Sequence, residues 1–143
     1  MNILIAVDFS DVSRKMLATV TGMPRHPDGK VFLVHVAEPE PEFVGWDAGP
    51  EVVRDQIAAE FHRERSQVEA MADELRKNGI DAAGLVVQGP TVATILDEVR
   101  RREAALVVVG SHGHGAAYDL TIGSISSEVI RHSPVPVLVV PNR

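Results

Sequence analysis

The chain alternates short apolar runs with longer segments in which apolar residues recur every three or four positions. "ILIAV" at 3–7 is rich in β-branched residues and too short for a buried helix, and "DFSDVS" after it offers Ser10 or Asp11 as a helix cap. Val12, Met16, Leu17 and Val20 then fall on one helical stripe, closed by Gly22 and Pro24. "KVFLVHV" at 30–36 reads as a second strand. Residues 51–78 read as the longest helix, with Ile57, Phe61, Val68, Met71 and Leu75 inward and Gly79 as its stop. "AGLVVQG" at 83–89 predicts a third strand. The helix expected over 91–102 turns Ile95, Leu96 and Val99 inward and ends on basic residues, where the macrodipole favours cations. "ALVVVG" at 105–110, a helix over 124–132 and "PVPVLVV" at 134–140 complete the series.

Strands alternating with helices imply right-handed crossovers and a parallel sheet. Because each strand is apolar at consecutive positions, both faces must be covered. The fold class expected is α/β: an open, doubly wound five-stranded parallel sheet with helices on both faces. At 143 residues the chain suits one domain, 1–143, and no repeat or linker divides it. The pattern breaks at 38–50, where Pro39, Pro41 and Pro50 and the carboxylates of Glu38, Glu40, Glu42 and Asp47 rule out a helix or a central strand. That segment reads as a loop of functional weight.

Composition adds exclusions. Apolar residues at 45% and charged residues at 24% are globular values, so the chain folds. A formal charge of −6 argues against a nucleic-acid or anionic-membrane surface, both of which need clustered Lys and Arg. With no cysteine there is neither a disulfide framework nor thiolate chemistry. No apolar run approaches the roughly 18 residues of a spanning helix. These features suit a cytoplasmic protein with no nucleic-acid or membrane partner.

Candidate chemistry concentrates in "VVVGSHGHGAAYDLTIGSISSEVI", 107–130, where a strand passes through glycines into a helix. Glycines tolerate positive φ and let backbone N–H groups approach an anion, and a helix N-terminus adds partial positive charge. Together they suggest a phosphate cradle at the carboxyl end of a strand, where such sheets bind ligands. Two familiar cradles do not fit: Ala116 and Ala117 follow Gly115 where a P-loop needs Lys, and Tyr118 stands where a dinucleotide fingerprint needs its third glycine. What is present is glycine, two residues, glycine, nine residues, glycine, serine: Gly110, Gly113, Gly123, Ser124.

On this spacing, and on "ILIAVDFS", "VFLVHV" and "GSISSEVIRHSPVPVLVV", nearly the whole chain resembles the universal stress protein family, in its nucleotide-binding branch. The resemblance implies strand order 3-2-1-4-5, which sets Asp8 beside Gly110. It implies that amides around Gly113, Gly123 and Ser124, with the Ser124 hydroxyl, hold the phosphates of ATP. Asp8 would face the ribose and phosphates directly or through a divalent cation such as Mg2+, and Val36 would offer its backbone to adenine.

Magnitude bears on this expectation. About three charge-assisted hydrogen bonds at roughly 1.5 kcal/mol each give only millimolar affinity, so micromolar binding needs roughly 4 kcal/mol more from burying the base.

Other residues weigh toward simpler roles. Ser10 reads as a cap and His35 as a satisfied core histidine. His112 and His114 suit phosphate contact better than a metal site, which would need further ligands. Trp46 reads as a loop anchor. Ser124, Ser126, Ser127 and Thr121 are possible phosphoryl acceptors, with capping and solvation the simpler reading. The glycine segment has no Lys or Arg to stabilise phosphoryl transfer, so efficient catalysis is not expected. "PVPVLVVP" suits an edge strand, and an apolar edge invites pairing with its twin in a homodimer, as the resemblance also implies. The expected function is an ATP-binding stress-response or regulatory protein, a ligand-dependent dimeric module signalling to an unidentified protein partner. Two alternatives stand beside it: a slow ATPase or autophosphorylating enzyme, and a dimer that binds no nucleotide.

Overall fold

The computed structural model describes residues 1–37, 50–111 and 122–142. The element order is β1 (Asn2–Ala6), α1 (Asp11–Gly22), β2 (Val31–Ala37), α2 (Pro50–Lys77), β3 (Ala82–Gln88), α3 (Thr91–Arg101), β4 (Ala104–Gly110), α4 (Ser124–His132) and β5 (Val137–Val140). The strands form one parallel sheet in the order β3-β2-β1-β4-β5, as expected.

Consecutive apolar residues on each strand feed two separate cores. Ile3, Ile5, Leu33 and Val108 face Val12, Met16 and Val20 of α1 and Val68, Ala72 and Leu75 of α2. Leu4, Val34, Val107 and Val109 point the other way, against Ile95, Leu96 and Val99 of α3 and Val129 of α4. The sheet is therefore sandwiched between two helical layers, the arrangement that hydrophobic runs without alternation require.

Most element bounds shift by a residue from the sequence reading, and α2 and β5 differ further. Of the stripe on α2 only Val68 and Leu75 are buried, while Ile57, Phe61 and Met71 remain half-buried. A 28-residue helix is about 42 Å long and a seven-residue strand about 23 Å, so the helix overruns the sheet it covers. Strand β5 starts at Val137 rather than 134, after Pro136, whose carbonyl still accepts from Val107 N–H at 3.1 Å. Gly79 does end α2, with φ +77, a conformation that disfavours a side chain.

Candidate functional site

The sheet order reverses between β1 and β4, and their carboxyl ends define the crevice where this architecture places ligands. The register pairs Ile5 with Val108 and Ala6 with Val34. Extending it levels Asp8 with Ser111 on one side and with Val36 on the other. Asp8, Val36 and Gly110 thus gather at one edge of the sheet.

Hydrogen-bond direction sharpens the position of Val36. The Ile3 and Val7 amides donate to the carbonyls of Lys30 and Val34, whereas Ala37 accepts from Gly89 on the β3 side. Even-numbered residues of β2 therefore turn their backbone groups toward β1, and Val36 is the next in that series, level with the point where β1 ends.

The chain leaves β1 through a constrained turn. Asp8 Oδ1 accepts from the Ser10 N–H at 3.0 Å and from the Ser10 hydroxyl. Ser10 occupies the N-cap position of α1, and its carbonyl accepts from Ser13 N–H, but its side chain makes no cap bond because the hydroxyl is turned back to Asp8. Ser10, read as a cap, is one by position only, and Asp8 accepts both of its donors. Between them Phe9 has φ +63, a conformation that few bulky residues adopt.

On the opposite wall, a set of short bonds fixes the start of α4. Ser111 N–H donates to Val140 O at 2.9 Å, Gly123 N–H to Ser111 O at 2.7 Å and the Ser126 hydroxyl to Gly110 O at 2.6 Å. Asn142 N–H donates to Ser111 Oγ at 3.1 Å. The amide of Gly123 is therefore engaged within the protein, and the N–H groups a helix start leaves without intrahelical acceptors begin at Ser124. Ser124 is exposed. The first turn of α4 carries no acidic residue and its last turn holds Arg131 and His132, so the charges within the helix follow its dipole.

The two described glycines of the motif serve different ends, and neither uses positive φ. A Cβ on Gly110 would stand 2.5 Å from Val12 Cγ1, so glycine there admits the close approach of α1 to β4. Gly123 has φ −58 and ψ 156, a conformation open to any residue. Gly113 lies outside the described residues, as do His112, His114, Thr121 and Trp46.

The Asp8 turn and the start of α4 thus stand at the same end of the sheet, one carrying a carboxylate and the other a helix N-terminus. Among the described residues no cluster of three or more His, Asp or Glu is placed to hold a metal. Mg2+ fits here only as magnesium usually binds phosphates, through the ligand's own oxygens with Asp8 as the protein carboxylate.

Two contacts around the site escape sequence reading. Ser126 was legible as a capping serine, but its reach back to Gly110 was not. His35 is satisfied as expected, with Nδ1 2.9 Å from the Val7 carbonyl, yet its Nε2 also faces Glu64 of α2 at 3.7 Å. Among the described residues no helix is long and apolar enough to cross a membrane.

Comparison with known proteins follows the same outline. The sequence model described as "Universal stress protein family" matches residues 1–141. A universal stress protein encoded in the QAH/OAS sulfhydrylase 3′ region of Thermus aquaticus is 30% identical over 139 residues, spanning 96% of each chain. Among solved structures, the hypothetical protein MJ0577 superposes with a TM-score of 0.85 at 25% identity, over 99% of this chain and 96% of that one. A universal stress protein family protein from Arabidopsis thaliana, solved with AMP bound, superposes with a TM-score of 0.70 at 22% identity, over 100% and 92% of the two chains.

Proposed function

The chain belongs to the universal stress protein family, and from that premise we propose that it is a single-domain ATP-binding regulatory protein whose ligand spans the crevice between β1 and β4. The observation that supports this reading is the hydrogen-bonded start of α4, with no acidic residue in its first turn, at the same end of the sheet as Asp8. The phosphates lie against the amides that begin at Ser124, with the Ser124 hydroxyl and Gly113 beside them. Asp8 takes the ribose, or a Mg2+ on the phosphates. The backbone of Val36 meets the edge of adenine. The AMP found on the Arabidopsis thaliana protein supports an adenine nucleotide as the ligand class.

The protein acts in the cytoplasm as a homodimer, joined through the open edge of β5, and signals its ligand state to a protein partner. Binding rather than turnover is its role: no Lys or Arg lies in the glycine segment to stabilise a transferring phosphoryl group. Native mass spectrometry of the purified protein tests the reading. A co-purified mass equal to an adenine nucleotide is expected, and a bare chain that also fails to take up added ATP would overturn it.

A further inference from the structure

A left-handed Phe9 beside the ligand carboxylate poses a physical question. Non-glycine residues held at positive φ persist only where their surroundings over-determine them, and such positions cluster where function needs a fixed geometry. The Asp8–Ser10 bonds close the turn from within. What holds it from outside is His35. Its Nδ1 lies 2.9 Å from the Val7 carbonyl, which can only accept, so Nδ1 carries the proton. Its ring lies against that of Phe9, with centroids 4.4 Å apart and planes tilted by 33°. Its remaining nitrogen faces Glu64 of α2 at 3.7 Å, and both side chains are largely buried, at 14% and 20% exposure.

One imidazole therefore touches the residue before Asp8, the residue after it and the helix behind. We infer that His35 is a positioning residue: it clamps the Val7–Phe9 turn in its left-handed form and so aims the Asp8 carboxylate at the sugar of the bound nucleotide. The inference rests on the proposed nucleotide site and adds to it a determinant of sugar recognition outside the glycine motif. It also joins the ligand crevice to α2 through a single side chain.

The test compares ATP with 2′,3′-dideoxy-ATP by calorimetry in the wild type and in two variants. H35F keeps a ring against Phe9 but has no donor for Val7, whereas H35N keeps a donor nitrogen near the place of Nδ1 and loses the ring. The wild type is expected to prefer ATP by on the order of tenfold or more, the scale of a hydrogen bond to a charged group. H35F should bring that preference to within about threefold, chiefly by weakening ATP while dideoxy-ATP binds as before; H35N should retain most of it. A purely structural role would weaken both ligands alike. If H35F does not fold, H35Q serves in its place, since its amide nitrogen matches the far side of the imidazole and not Nδ1. Full sugar preference in a folded H35F or H35Q overturns the inference and leaves the nucleotide site standing. A wild type that binds neither ligand overturns the site itself, and this inference with it.

Discussion

The hydroxyl of Ser126 donates to the carbonyl of Gly110 at 2.6 Å, tying the first turn of α4 to the last residue of β4. The bond is part-buried, with Ser126 itself buried and Gly110 half-buried. Removing the donor leaves a half-buried carbonyl short of a partner, which costs about 1–3 kcal/mol. Ser126→Ala is expected to lose that much stability in urea titration, and ATP affinity should fall several-fold because the helix start is no longer fixed.

Gly110 makes a different requirement. A methyl group there would meet Val12 Cγ1, and Val12 is buried and stiff about χ1, so it has little room to yield. Gly110→Ala should destabilise the protein by roughly 1–3 kcal/mol through overpacking. Adding Val12→Ala should make the double variant less unstable than the sum of the two single changes, because each relieves the other. Strict additivity in denaturation would show that the close approach of α1 is not what excludes a side chain.

The β5 edge can be tested by backbone direction. Pro136 and Val140 present their carbonyls to β4, so Val137 and Val139 turn their N–H and C=O groups to the open side. Val139→Pro removes an outward donor and spares the β4 ladder. Light scattering should show a dimer for the wild type and a monomer for the folded variant. A variant that remains dimeric would move the interface off this edge.

Much of the fold was legible because its signals are local. β-branched runs of five to seven residues, helical stripes such as Val12–Met16–Leu17–Val20, and stops such as Gly79 each depend on neighbours within a turn or two. Strand order was not legible in this way and entered through family resemblance. Long-range contacts left no local trace. Glu98 stands three and four residues before Arg101 and Arg102, an ordinary exposed pairing on paper. In the fold it is 2% exposed, its carboxylate meets both guanidinium groups, and Arg102 lies over the Phe32 ring of β2. The same holds at the site. Gly110, Gly123 and Ser124 were marked by type and spacing and Asp8 by the resemblance, but the bond from Gly123 to Ser111 depends on how α4 is set against β4, and the clamp of His35 on Val7 on how β1 and β2 lie together.

The most direct measurement is a calorimetric titration of ATP into the wild type and Gly123→Val. The backbone at Gly123 lies in a region open to valine, so the variant should fold and unfold thermally much as the parent does. Its side chain would fill the approach to the amides that start at Ser124. Binding in the micromolar range for the wild type and no measurable heat for the variant are expected; a folded variant that binds ATP as tightly as its parent would mean that the α4 N-terminus does not hold the phosphates.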